Sequence, residues 1–173
     1  MSKGEECMLV LARKLKDLNF SMLMDVYEEG NRENAQDFWP DLPEGPGMLR
    51  AEQEFYAYLQ DVFFKTPQAV YALWQEDGSY ISALRLEPYK DGWLLEALET
   101  KPDCRRQGRA EMLIRAVQET GEFQRIYSHV AKRNKPSLAV HEKLGFSRIG
   151  EVAAYIDGSF NDRACTVRWE QTK

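Results

Sequence analysis

The spacing of apolar and polar residues changes period several times along the chain, and each change marks an element. Met8-Leu9-Val10-Leu11-Ala12 is a short apolar run that reads as a first strand. From Asn19 to Glu29, with Leu18, Met22 and Val26 on one face, the spacing predicts an amphipathic helix. Asn31 to Met48 is polar and broken by Pro40, Pro43, Gly45, Pro46 and Gly47, which predicts a long loop around Phe38-Trp39. Leu49 to Phe64 returns to helical spacing, with Phe55, Leu59 and Val62 on a common stripe. The period then becomes that of strands: Ala69 to Trp74, the turn Asp77-Gly78-Ser79, and Tyr80 to Leu86 form a hairpin. A turn at Tyr89-Lys90-Asp91-Gly92 leads into the apolar run Trp93-Leu94-Leu95 with Ala97 and Leu98. Arg125 to Val130 is a further strand. Lys135 to Leu144 is a short helix with Asn134 as N-cap, Pro136 in its first turn and Gly145 past its end. Phe146 to Ile156 and Ala164 to Trp169 close the chain as two strands around Asp157-Gly158. The sum is a mixed α/β (α+β) fold in one domain covering 1–173, with a sheet of about seven strands flanked by about four helices.

The stretch from Glu96 to Glu119, preceded by Trp93-Leu94-Leu95, organises this pattern. Lys101-Pro102-Asp103 ends its strand, because proline lacks the N–H a ladder needs. Arg105-Arg106-Gln107-Gly108-Arg109-Ala110 then opens a helix whose Ala110, Leu113, Ile114 and Val117 form one buried stripe, with Gly121 at its end. The first N–H groups of a helix have no intrahelical partner and lie at the positive end of its dipole. Gly108 and Ala110 let a ligand approach the backbone, and Arg105, Arg106 and Arg109 add donors suited to phosphate oxygens. The turn reads as an anion site for a di- or polyphosphate.

Composition narrows what that anion belongs to. Hydrophobic residues make up 43% and aromatics 12%, as in a chain with a packed core. A net charge of −5 argues against nonspecific nucleic-acid binding. Cys7, Cys104 and Cys165 are widely spaced and without metal-ligand spacing, so they read as free thiols in a reducing compartment. The apolar core of MSKGEECMLVLARKLK is too short for a signal peptide, and no run is long enough to span a bilayer. The expectation is a cytoplasmic protein with no membrane and no nucleic-acid partner.

Two segments carry a resemblance. The element order β-α-α-β-β-β-α-β-α-β-β, with Arg105-x-x-Gly108-x-Ala110 opening the third helix, resembles the GNAT superfamily of acyl-CoA-dependent N-acetyltransferases. Asn134-x-x-Ser137 followed by His141-Glu142-Lys143-Leu144-Gly145-Phe146 is similar to that family's helix ending in tyrosine-(acidic)-lysine-leucine-glycine-phenylalanine. The arrangement covers nearly the whole chain; residue-level matching runs from about Glu96 to Phe146. The resemblance implies acetyl-CoA as cosubstrate, with no metal. The amides of Gln107, Gly108, Arg109 and Ala110 would then hold the pyrophosphate, with Arg105 beside them. The strand edge at Leu98, Glu99 and Thr100 would pair with the pantetheine arm in a notch where the fourth and fifth strands splay. Asn134 and Ser137 would contact that arm, and Arg106 and Lys143 would reach the 3′-phosphate, or else be plain surface charges. A homodimer through the C-terminal strands is the assembly the resemblance allows.

His141 stands where that family most often has a tyrosine that protonates the departing thiolate. An imidazolium is chemically apt for the role, with a reference pKa of about 6.5 against about 8.5 for a thiol. The alternatives are that His141 merely packs on its helix or bonds a carbonyl, or that Tyr127 or Tyr155 is the acid. Glu96 and Glu99, three apart on one strand, point to opposite faces, so only one can serve as base, and Glu96 is the candidate. A backbone N–H near Leu98 would polarise the thioester carbonyl. Asp25, Glu28, Glu29, Glu33, Asp37 and Asp41 make the first helical region acidic, which suits a cationic acceptor or simply a solvated face. Phe38 and Trp39 are either a lid or anchors of their loop. Arginines beside Cys104 would lower its thiol pKa, but the family transfers directly. The expected reaction is acetyl transfer to a primary amine of a small molecule or peptide, by direct attack in a ternary complex. The alternatives are a catalytically silent acyl-CoA-binding or sensing domain, and a nucleotide-binding module, although neither Gly-x-x-x-x-Gly-Lys-[Ser/Thr] nor Gly-x-Gly-x-x-Gly occurs.

Overall fold

The structure is a computed structural model and describes residues 6–173. Residues 1–5, the start of the segment read as lacking a signal peptide, lie outside the described residues. The chain runs β1 (Cys7–Ala12), α1 (Phe20–Val26), α2 (Glu28–Phe38), α3 (Glu44–Asp61), β2 (Val70–Glu76), β3 (Ser79–Tyr89) and β4 (Gly92–Thr100). It continues with α4 (Arg109–Glu119), β5 (Arg125–Ala131), α5 (Lys135–Lys143), β6 (Ser147–Gly150), β7 (Ala153–Ala154), β8 (Phe160–Asn161) and β9 (Ala164–Glu170). Seven strands form one sheet in the order β1-β2-β3-β4-β5-β9-β6, and β7 and β8 pair as a separate ribbon. Every neighbour in the large sheet is antiparallel except β4 and β5.

Two elements differ from the sequence pattern. The expected loop from Asn31 to Met48 is mostly helical: α2 continues to Phe38, and α3 begins at Glu44. Pro43 precedes α3, and Gly45, Pro46 and Gly47 sit in its first turn, where a missing N–H costs nothing. Asn31 and Ala35 give α2 its buried face, and so narrow and polar a stripe leaves little apolar period to read. The expected strand from Phe146 to Ile156 divides, because the pairing of β6 with β9 shifts at Gly150 and the chain turns away into β7.

The sheet separates two cores. On one face Val70, Ala72, Leu84, Leu86 and Leu95 meet the α4 stripe of Leu113, Ile114 and Val117. On the other, Tyr71, Leu73 and Ala83 meet Leu23, Val26 and Tyr27, with Leu59 of α3 and Phe63 just beyond it. A third, small cluster of Tyr89, Leu94 and Tyr127 continues the second face toward the β7–β8 ribbon. Burial on this scale, at roughly 25 cal/mol per Å² of apolar surface, fixes which face each strand residue presents.

Two irregularities in β4 shape the centre. Ala97 has a φ of 52°, a left-handed conformation unusual for alanine. Glu96 pairs with Arg85 and Glu99 with Ala83, so Ala97 and Leu98 of β4 oppose Leu84 alone on β3, which is a β-bulge. The Tyr27 hydroxyl holds it by donating to the Ala97 carbonyl at 2.6 Å, and itself accepts from Tyr71 at 2.7 Å. Pairing of β4 with β5 ends at Leu95 and Ser128, so beyond Leu95 the two strands splay.

Candidate active site

The splay opens beside the N-terminus of α4. Gly108 caps that helix with a φ of 75°, and no side chain bonds the first-turn amides. The first intrahelical bond runs from Met112 N–H to the Gly108 carbonyl at 3.0 Å, which leaves the preceding N–H groups directed at the opening. A cavity of about 380 Å³ lies there, lined by Leu98, Glu99 and Thr100 of β4, by Arg105, Arg106, Gly108, Arg109, Ala110 and Glu111, and by Asn134, Pro136, Ser137 and Val140. These are most of the residues the sequence assigned to a cofactor. A Cβ built on Gly108 meets nothing within 4 Å, so the space in front of this turn is open. A larger cavity, about 570 Å³, lies between α2 and α3 around Trp39, Pro40 and Leu42, away from both the splay and the α4 amides.

Several expected side chains have other partners. Arg105 donates to Glu29 at 2.7 Å, to Glu99 at 3.0 Å and to the Thr100 carbonyl at 3.1 Å. Its guanidinium thus ties α2 to the end of β4. Arg109 is ion-paired with Glu76 of β2 at 2.6 Å and donates to the Gln107 carbonyl at 3.1 Å. Gln107 itself is exposed and outside the lining. Arg106 is exposed with a φ of 61°. Asn134 accepts the Ser137 N–H at 3.2 Å as the N-cap of α5. Lys143 pairs with Glu111 at 3.0 Å across α5 and α4, with its side chain 65% exposed and able to swing.

His141 is 2% exposed, and both its ring nitrogens are engaged. Nδ1–H donates to the Ser137 carbonyl at 2.8 Å, and Nε2 lies 3.0 Å from the Ser128 hydroxyl, from which it accepts. That arrangement accommodates the neutral ring, and burial holds its pKa below the usual imidazole value despite the Ser137 carbonyl. The expected imidazolium is therefore disfavoured here: His141 pins α5 to β5. The Tyr127 hydroxyl donates to Asp91 at 2.5 Å, and burial and Asp91 raise its pKa. Cys104 also departs from expectation: burial first, then its contact with Asp103, push its thiol pKa up rather than down.

The opposite face of β4 gathers the acid–base groups. The bulge at Ala97 corrects the reading that Glu96 and Glu99 face opposite ways. Their partners Arg85 and Ala83 are two apart on β3, so both carboxylates lie on the α1–α3 face. Glu99 is taken by Arg105, whereas Glu96 is half-buried against Glu87, which is 8% exposed, and Arg85. Burial, followed by the hydrogen bond to Glu87, pushes the Glu96 carboxyl up to about 7. Arg85 lies over the Tyr58 ring at 4.9 Å and opposes that shift. Glu96 thus exchanges a proton near neutrality, the poise a base needs.

Sequence reasoning missed Glu87 and His129. Glu87 falls in a strand where its partner is set by long-range register. His129 lies on β5 two residues after Tyr127, on the face with Tyr89 and Tyr155, whose rings stand 5.9 Å and 4.9 Å from its own. Of the acidic run in the first helical region, Asp25, Glu28, Glu33, Asp37 and Asp41 are exposed, as a solvated face would be, and Glu29 is bound to Arg105. Phe38 is 70% exposed, its ring tilted against Trp39 at 6.0 Å, and neither residue lines the notch. Among the described residues no cluster of metal-ligating side chains occurs, and no helix is long and apolar enough to cross a membrane.

The profile of the Acetyltransferase (GNAT) family matches residues 23–146. Among solved structures, the chain is similar to the PaiA N-acetyltransferase of Thermoplasma acidophilum in complex with coenzyme A, at 13% identity and a TM-score of 0.59, covering 95% of this chain and 99% of that one. It is similar to the ribosomal-protein-S18-alanine N-acetyltransferase of Escherichia coli at 15% identity and a TM-score of 0.58, covering 94% of each chain. Mutant forms of the spermidine/spermine N-acetyltransferase SpeG of Vibrio cholerae align at 16% identity and a TM-score of 0.60, over 96% of this chain and 95% of that one. No curated protein sequence matches the chain. At these identities the structural likeness establishes the fold, and the profile match, which spans most of the chain, establishes the family.

Proposed function

The chain belongs to the GNAT acetyltransferase family and is an acyltransferase, and from that premise we propose that it moves an acetyl group from acetyl-CoA to a primary amine by direct attack in a ternary complex. The observation that carries this reading is the opening where uncapped α4 amides meet an unpaired β4 edge, with the Glu96 carboxyl on the opposite face of that same strand. The amides of Gly108, Arg109 and Ala110 hold the pyrophosphate by backbone alone. Leu98, Glu99 and Thr100 offer the β4 edge to the pantetheine amides, as an added strand would. Lys143 and Arg106 are the mobile cations for the 3′-phosphate.

The thioester then lies where β4 parts from β5, with the Leu98 N–H as donor to its carbonyl oxygen. From the α1–α3 side the acceptor meets Glu96, which takes a proton from the incoming ammonium directly or through one water. Burial first, and then Glu87, keep that carboxyl basic enough to do so near pH 7. Arg105 and His141 are positioning residues, one tying the end of β4 to α2 and the other holding α5 on β5. Two carboxyls at the acceptor mouth, Glu87 buried and Glu96 half-buried, favour a cationic amine, of the polyamine or peptide-amine kind on which the named relatives act. A single cytoplasmic domain, with the exposed edge strand β6 free to pair in a homodimer, completes the reading.

The test is thiol release from acetyl-CoA with a panel of polyamines, amino-alkyl compounds and peptides with free N-termini. Release that requires both acetyl-CoA and an amine, with the N-acetylated product found by mass spectrometry, is the expected result. CoA binding without release with any amine would favour the silent acyl-CoA-binding domain instead.

A further inference from the structure

The carboxyl pair accounts for one proton, but the reaction moves two. An ammonium becomes an amide nitrogen with one hydrogen, so two protons leave it; one is released to solvent and the other must reach the CoA sulfur. His141 is engaged at both nitrogens in holding α5. Tyr127 is committed to Asp91. The second proton needs another carrier.

We propose that His129 is a catalytic residue that shuttles this proton from the attacking amine to the departing thiolate, an inference that rests on the acetyl-CoA reading of the same notch. The placement follows from register. Leu95 and Ser128 are the last paired positions of β4 and β5, and the next residues are Glu96 on one strand and His129 on the other. Glu96 lies on the acceptor face through its pairing with Arg85, and His129 lies there with Tyr127 two residues before it. A pantetheine arm entering between the splayed strands ends between these two side chains.

The surroundings of His129 fit a proton carrier better than a packing residue. Tyr89 of β3 and Tyr155 of the β7–β8 ribbon meet the ring edge-to-face and leave its nitrogens unused. Both nitrogens are shielded from solvent, and neither has a hydrogen-bond partner among the described residues. A buried imidazole with no partner is costly unless something else completes it. The charged group acting on it is Lys90, which lies over the Tyr89 and Tyr127 rings at 5.3 Å and 5.7 Å; Asp157 on the ribbon acts on Glu96. Burial first, and then Lys90, hold the His129 pKa below the ordinary imidazole value, so the ring is neutral before reaction.

The steps balance as follows. Glu96 removes one proton from the ammonium, and the freed lone pair forms the C–N bond while the carbonyl π electrons move to oxygen. The nitrogen of this intermediate carries one proton too many, and neutral His129 accepts it as imidazolium. The carbonyl reforms, the C–S bond breaks with its electron pair on sulfur, and His129 gives its proton to that sulfur. The ring ends neutral and Glu96 returns its proton to solvent.

The wild-type chain provides a direct test because it contains only two histidines. Their ring signals, followed by NMR and assigned with His141→Gln, are compared in CoA and in desulfo-CoA. The expected result is that the His129 signals move with CoA but not with desulfo-CoA, and that its titration midpoint rises when the CoA sulfur is present. Equal responses to both ligands, or a sulfur-dependent response at His141 instead, would overturn the inference. A chain showing no thermal shift with CoA would overturn the cofactor reading as well, whereas a shift with no sulfur effect at His129 removes this inference alone. In turnover, His129→Gln should lose at least about 10²-fold with the CoA-induced thermal shift intact, and exogenous imidazole should partly restore His129→Ala. Wild-type turnover in His129→Gln would contradict the role.

Discussion

The two faces of β4 build their halves of the site from different materials. On the α4–α5 face the groups offered to a ligand are backbone: the amides after Gly108 and the unpaired edge at Leu98 to Thr100. Its charged side chains are mostly spent elsewhere, Arg105 on Glu29 and Glu99, and Arg109 on Glu76. On the α1–α3 face the groups are side chains, Glu96, Glu87 and His129, and burial shifts the titration of Glu96 up and that of His129 down. A backbone site needs a helix end and residues small enough to expose it. A side-chain site needs several strands in register. In the proposed reading the first recognises a ligand common to many proteins, and the second sets what this one does with it.

The largest break of that contrast is Gly108→Glu. The positive φ strains any side chain there by about 1–2 kcal/mol, and the carboxylate meets the anion where it binds. The variant should fold and show no CoA-induced thermal shift, against the roughly 2.7 kcal/mol expected for wild type at a hundredfold excess over Kd. Gly108→Ala, with open space around its Cβ, should bear the strain yet retain binding. Retained CoA binding in Gly108→Glu would mean that the α4 amides are not the site.

Next in size is Glu96→Gln, which should lower turnover by about 10²-fold without changing CoA binding. In wild type the rate should rise with pH through about 7, because the base must be unprotonated, and that limb should vanish in the variant. Stability gives a second reading of the same group. Its folded pKa lies above the ordinary 4.5, so the folded state holds an extra proton, and ionisation costs stability as pH rises from about 4.5 to about 7. The melting temperature of Glu96→Gln relative to wild type should therefore increase between pH 5 and pH 8.

Smaller again is Tyr27→Phe, which leaves the Ala97 carbonyl and the Tyr71 hydroxyl without the phenol. Denaturant unfolding should show a loss of about 1–3 kcal/mol, with turnover falling as the bulge relaxes and Glu96 shifts. Smallest is Lys143→Ala. Its pair with Glu111 is exposed, so stability should change by less than about 1 kcal/mol. The KM for acetyl-CoA should rise a few-fold, and that for the 3′-dephospho form should not.

What could be read from the sequence follows the same division. The α4 turn was legible because its chemistry is local: strand, proline, arginines, Gly108 and an apolar stripe occur within one contiguous stretch. So was the sheet, whose hairpin and C-terminal strands carry their own period. The bulge at Ala97 was not legible, since no glycine marks it and Tyr27, which holds it, lies 70 residues away. Without the bulge, alternation along β4 assigns Glu96 and Glu99 to opposite faces. The pairing of Glu96 with Glu87 and the partners of His141 depend on strand register and helix docking, which composition does not encode. The helical character of Asn31 to Met48 was hidden by prolines that stand just before α3 and in its first turn.

The central claim is that one notch between β4 and β5 receives a CoA arm by its backbone and presents the thioester to the opposite face. Backbone amide NMR of the wild-type chain, titrated with CoA, tests it most directly. The account predicts that the amides of residues 107–110 and 98–100 shift together in one saturable event, while those lining the cavity around Trp39 stay still. Shifts centred on Trp39 and Leu42, with the α4 and β4 amides unmoved, would contradict it.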